Sequence, residues 1–155
     1  MIVRVCGAVL LVAAGVGLGN AAANSIQTQW QSIRQFMELL SYIQRFISQR
    51  SMPCEEIFQY AALSNRFAGL HLERCQQFSE LPIPQCLQNS IGKELQDNLT
   101  ELGASSQETA TALLEIMHSL CAWKEQEFLT KASAAQALYP KLGGCVGAVI
   151  AVFMI

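Results

Sequence analysis

The chain has 155 residues, 52% of them hydrophobic and 14% charged, with a mean hydropathy of +0.28 and a formal net charge of −2 from 10 basic and 12 acidic side chains. That length accommodates one compact domain, and the apolar content exceeds what the surface of an ordinary soluble domain keeps solvated. The charges are interspersed, and the absence of a Lys/Arg run able to neutralise several phosphates argues against nucleic acid as a partner.

The apolar surplus sits at the two ends. Residues 5–23 are nineteen in a row without charge, after the single Arg4. At about 1.5 Å rise per residue such a helix nearly crosses a hydrocarbon core of about 30 Å. The same stretch also fits a cleaved signal peptide, with Arg4 as n-region and Ala21, Ala22 and Ala23 as the cleavage site. The apolar run 142–155, which carries no side-chain charge, favours the membrane, because a clean apolar tail needs lipid or protein to cover it. To complete a crossing it borrows residues 134–139 and lets Lys141 extend its ammonium toward the interface. Gly15 with Gly19, and Gly143 with Gly147, are four apart, a spacing that lets helix backbones approach closely in lipid. The organisation expected is a transmembrane helix at 1–23, a helical bundle at 24–141 and a second transmembrane segment at 142–155. Charge does not orient it: Arg4 asks for the N-terminus inside, Lys131 and Lys141 for the middle.

From Ile26 the apolar residues Trp30, Ile33, Met37, Leu40 and Ile47 recur at helical intervals, so the first helix should run unbroken to about Arg50 and stop at Ser51-Met52-Pro53. A short helix over 53–64 follows, with Pro53 in its first turn and Glu55 and Glu56 where the helix dipole favours anions. A third is expected from about Arg66, carrying Phe67, Leu70, Leu72, Cys75 and Phe78, until Pro82 and Pro84 break it. A fourth, over 85–102, places Leu87, Ile91, Leu95, Leu99 and Leu102 on one face and ends with Gly103 at C′. Ser105-Ser106-Gln107-Glu108 reads as a capping box opening a last long helix, whose stripe from Leu113 runs toward Tyr139, with Pro140 a potential kink. Nothing reads as a strand. The fold class is all-α, a bundle of about five helices whose long first and last members continue into membrane-spanning ends.

Reactive chemistry is sparse. Of six cysteines, Cys6 and Cys145 lie in the apolar ends, while Cys54, Cys75, Cys86 and Cys121 show no CxxC pair and read as reduced thiols. His71 with Cys75 and His118 with Cys121 stand at helical spacing and could supply four zinc ligands, although nothing brings the two helices into register. Glu55 and Glu56 diverge by about 100° on a helix and cannot act as an acid/base dyad. The triplet Asn98-Leu99-Thr100 lies within a helix and is discounted as a glycosylation site. No phosphate loop, nucleophile elbow or HExxH is present. Catalytic, cofactor and metal sites are therefore all expected to be absent, and the long amphipathic helices read as surfaces for other proteins.

The order of these features resembles the stage III sporulation protein AB family. The features that carry it are Cys6-Gly7-Ala8 ahead of an apolar run, Ile33-Arg34-Gln35 with Tyr42, and Met52-Pro53. In the second half they are Leu99, Leu102-Gly103, the polar link 104–107, and Lys141-Leu142-Gly143 leading into a terminal apolar helix. The chain departs from the family pattern in lacking a basic cluster after the first apolar run. The resemblance implies a bundle similar to the cytoplasmic domains of the type II secretion platform protein. It further implies a structural role in the channel between mother cell and forespore, in the mother-cell membrane with the middle domain cytoplasmic. The partners implied are membrane lipid and other channel proteins including a secretion-type ATPase, with no small-molecule substrate and no enzymatic activity. The alternative is a secreted, processed helical protein with zinc on His71, Cys75, His118 and Cys121.

Overall fold

The computed structural model describes residues 2–49 and 53–154, and contains five α-helices, three short 3-10 turns and, among the described residues, no strand. The helices are α1 (Ile2–Gln49), α2 (Cys54–Leu63), α3 (Gln85–Gln88), α4 (Gly92–Leu102) and α5 (Gln107–Met154). The all-helical expectation is met, with α1 and α5 each 48 residues long. The proposed stop at Ser51-Met52 lies outside the described residues. The chain forms two compact units, one of Met1–Trp30 with Glu127–Ile155 and one of Gln31–Gln126.

In the unit Gln31–Gln126 the helical stripe of α1 does what its spacing dictates. Ile33, Phe36, Leu40 and Ile43, three, four and three residues apart, are all buried. They share a core with Ile57 and Phe58 of α2, Leu95 and Leu99 of α4, and Leu114 and Met117 of α5. Burying each such side chain contributes about 1.5–3 kcal/mol. Aromatic contacts tie the ends of this core: Tyr42 meets the Phe67 ring edge-on at 5.5 Å, and Phe58 meets Phe78 in the same manner at 5.5 Å. Arg34 and Arg66 reach Glu38 at 3.6 and 3.7 Å, but these groups are solvent-exposed and add little.

The expected third helix is not there. Residues 65–80 form three 3-10 turns, Asn65–Leu70, Leu72–Arg74 and Phe78–Glu80, the first two separated by His71, which takes a left-handed conformation with φ 47°. The physical reason is burial. Leu70 and Leu72 are both in the core, yet residues two apart on an α-helix point about 200° away from each other. One left-handed residue between them turns both inward. The last turn carries a capping box: the Glu80 carboxylate accepts the Gln76 and Gln77 amides at 2.7 and 3.4 Å.

The expected fourth helix is split. The chain turns at residues 89–91, where the Ser90 and Ile91 amides both donate to the Leu87 carbonyl, at 3.1 and 2.9 Å. The Ser90 hydroxyl donates to the same carbonyl at 3.3 Å, an instance of a short polar side chain competing with the helical ladder. The leucines Leu87, Leu95, Leu99 and Leu102 remain buried across the break.

Two expected caps form differently. Gly103 has φ −67°, not the left-handed value of a C′ glycine. The Glu101 carbonyl is already satisfied by the Ala104 amide at 3.1 Å and the Ser105 hydroxyl at 2.6 Å, so no left-handed residue is required. At the start of α5 the Ser106 hydroxyl accepts the Thr109 amide at 3.4 Å. Because the residue three after Ser106 is Thr109 and not an acid, the reciprocal half of a capping box is missing.

Candidate functional site

The other unit pairs the apolar start of α1 with the apolar end of α5, running antiparallel. Gly15 meets Gly143 and Gly147, Gly19 meets Tyr139 and Pro140, and Gly147 meets Leu11 and Val12. These contacts are between backbones. A methyl group added at Gly15 would fall onto the Gly143 carbonyl, and one at Gly143 onto the Gly15 carbonyl. The four glycines singled out by spacing thus lie on one seam. That seam extends further than glycine alone indicates, because Ala23, Ala135 and Ala151 continue the same four-residue steps and are all buried. Beyond the glycines, Gln27 and Gln136 hydrogen-bond side chain to side chain.

The large apolar side chains face the other way. Leu18 and Val152 are each 74% exposed and Phe153 87%, with Val9, Leu10, Leu142, Val146 and Val149 all more than half exposed. An antiparallel pair built for water buries its leucines and valines and exposes polar groups. Here small residues are inside and bulky aliphatic ones outside. Both helices are long and apolar enough to cross a bilayer.

Of the four candidate zinc ligands, His71 and Cys75 lie in the 3-10 segment and His118 and Cys121 on α5. His71 is an exposed corner between two 3-10 turns, and the Cys75 thiol donates to the Glu80 carbonyl at 3.4 Å. Cys121 is fully buried on α5, with His118 half-buried one turn before it. Among the described residues no three His, Cys, Asp or Glu side chains converge where a metal ion could be held. In the discounted glycosylation triplet, the Thr100 hydroxyl donates to the Gln96 carbonyl at 2.8 Å within α4.

In the Gln31–Gln126 unit burial disfavours the thiolate form of the cysteines. Burial pushes the Cys121 thiol up to about 12, with nearby Cys86 adding to the effect. Burial likewise raises Cys54, Cys75 and Cys86, and the Glu80 carboxylate raises Cys75 further. Cys54 and Cys75 line two open surface clefts of about 590 and 480 Å³; as protonated thiols they are weak nucleophiles. The sign of the Cys121 shift fixes a pH dependence. The folded state disfavours the thiolate relative to the unfolded chain, whose ordinary value is 9.0, so this contribution is complete below pH 9 and disappears as pH rises toward 12. Native-state alkylation at pH 8 should therefore spare Cys121 and modify it fully only in denaturant, as read by peptide mass spectrometry.

The Gln31–Gln126 unit also has an outward apolar face that the sequence does not single out. Ile116 and Trp123, seven residues apart on α5, are 47% and 63% exposed, and Lys124 lies 4.3 Å over the Trp123 ring. Their spacing could have signalled it, but an isolated Trp at helical spacing reads equally well as core.

A family model described as stage III sporulation protein AB matches residues 4–155. No curated protein and no solved structure matches the chain.

Proposed function

The chain belongs to the stage III sporulation protein AB family, and from that membership we propose that it is a membrane-anchored, non-enzymatic docking subunit of the channel between mother cell and forespore. In this reading α1 and α5 cross the mother-cell membrane as an antiparallel hairpin. The Gln31–Gln126 unit is held at the cytoplasmic surface, where it docks a secretion-type ATPase. The observation that carries the anchor is the inverted packing of the hairpin, with glycine and alanine within and leucine, valine and phenylalanine without. Such a surface is stable in hydrocarbon and costly in water.

What supports docking is the kind of surface available. A tryptophan exposed on a helix, with an exposed isoleucine two turns before it, is the type of anchor that supplies much of the affinity at protein interfaces. The test uses the full chain in mild detergent with the purified secretion-type ATPase of the same sporulation system. Trp123→Ala should weaken binding at least tenfold, roughly the loss of one aromatic anchor, while leaving the far-ultraviolet circular dichroism unchanged. Equal binding by the variant would remove this face from the interface, and no binding by either protein would remove the ATPase. The anchor is tested separately: the chain should float with vesicles and resist carbonate extraction. A cysteine introduced by Ala112→Cys should stay unlabelled by an impermeant thiol reagent until the membrane is opened.

A further inference from the structure

Apart from Arg4 at its far end, the membrane hairpin contains one charge, and its own chain does not answer it. Within residues 132–154 Lys141 is the tenth of 23 and the only charged residue, and residues 5–33 of α1 carry none. The antiparallel register sets its level. Gly15 lies against Gly143 and Gly19 against Tyr139, so Lys141 stands level with Gly17, well inside the apolar run of α1. It projects from the outer face of α5, opposite the glycine seam. On that face Leu138, Leu142, Cys145, Val149 and Val152 are exposed at alternating steps of four and three.

Lys141 makes no hydrogen bond or ion pair among the described residues. The nearest acid along its helix, Glu127, is 14 residues away, about 21 Å, and is already bonded to Lys131 at 2.6 Å. The ammonium can lean toward the surface on its four-carbon stem. One helical turn, about 5.4 Å, is about the most such a stem gains, whereas the start of the crossing at Ala134 is seven residues and about 10 Å back. A charge left at that depth in hydrocarbon is costly, and its cost is relieved by a pairing group on a neighbouring helix.

We propose that the outer face of α5 around Lys141 is the docking site for a membrane-spanning helix of another protein that carries a carboxylate at matching depth. This inference rests on the membrane reading above and names the chemistry of the partner. A second copy of this chain is not that partner, because residues 2–37 and 128–154 contain no Asp or Glu. The three-four stripe that flanks Lys141 is the spacing by which one helix packs along another.

The test reconstitutes the full chain in phosphatidylcholine vesicles with synthetic Leu/Ala membrane-spanning peptides of about 20 residues, bearing Glu, Gln or Leu at mid-depth. Association is read by energy transfer. The Glu peptide should associate about tenfold more tightly than the Leu peptide, in keeping with the strength of a strong polar contact between membrane helices. Lys141→Leu should abolish the difference, Lys141→Arg should retain it, and Lys131→Leu should leave it unaltered. Equal association of the Glu and Leu peptides with a chain that floats with the vesicles would overturn the pairing while leaving the anchor intact. So would association that follows added phosphatidylglycerol and not the peptide's Glu, which would assign Lys141 to lipid headgroups. Failure of the wild-type chain to float would defeat the anchor and the pairing together.

Discussion

Replacing Gly143 by alanine should pull the two apolar helices apart. The added methyl would fall on the Gly15 carbonyl, and both partners are backbone, so no side chain can rotate to make room. The helices must separate along the whole seam, giving up the close contacts at Gly19 and Gly147 as well. Overpacking of a tight contact costs about 1–3 kcal/mol, and in the proposed membrane setting the loss is not recovered elsewhere, because association of membrane helices depends on close packing. Gly17 provides the control: a methyl there meets nothing within 4 Å, so Gly17→Ala should be neutral or slightly favourable. The measurement is disulfide trapping between Ala23→Cys and Ala135→Cys, both buried on the seam, in a chain whose native cysteines are replaced by alanine. Trapping should fall several-fold with Gly143→Ala and persist with Gly17→Ala. Equal yields in the two variants would mean that the seam does not hold the pair.

The second large effect is expected at Phe58. Its side chain is 2% exposed, and its ring meets Phe78 edge-on at 5.5 Å. Phe78 opens the last of the three 3-10 turns, in a segment that has only short-range backbone bonds and lacks the continuous ladder of an α-helix. Truncating Phe58 therefore removes both a core side chain and the anchor of residues 65–80. Phe58→Ala should lower the stability of the Gln31–Gln126 unit by about 3–5 kcal/mol, as for other buried aromatics. Phe58→Leu should cost less than half of that. Tyr60→Ala, at a side chain 51% exposed on the same helix, should change stability by no more than about 0.5 kcal/mol. Urea unfolding of the full chain in detergent, followed by circular dichroism, measures all three. A loss under about 1 kcal/mol for Phe58→Ala, the size of an ordinary surface change, would mean that the segment is held by other contacts.

The sequence made the long elements legible because their periodicity is long. In α1 the stripe from Ile33 to Ile43 repeats often enough to determine both helix and buried face. The four glycines whose spacing permits close approach of helix backbones do lie on the seam. Shorter elements were misread where two rules competed. Leu70 and Leu72 were assigned to one helix although their separation of two residues does not suit a single helical face, and His71 resolves the conflict by turning left-handed. Asn89 and Ser90 were read through because the leucine stripe continued past them, yet the Leu87 carbonyl takes its bonds from within the turn. Gly103 shows the limit of cap reasoning, since whether a glycine must turn left-handed depends on the other donors present, here Ala104 and Ser105. The outward face at Trp123 was hidden for a different reason. An apolar residue at helical spacing carries no mark of which way it points until its neighbours are placed.

The backbone contacts of the glycine seam also set how freely this part of the chain can vary over evolutionary time. In the membrane setting proposed above, leucine, valine, isoleucine and phenylalanine are interchangeable on the outward faces of α1 and α5, since fluid acyl chains adapt to any of them. At Gly15, Gly19, Gly143 and Gly147 a hydrogen atom occupies the only space there is. In related sequences drift should accordingly accumulate among the bulky side chains, and the smallest residues should be the slowest to change, a reversal of the usual pattern in which large buried groups are the ones held fixed.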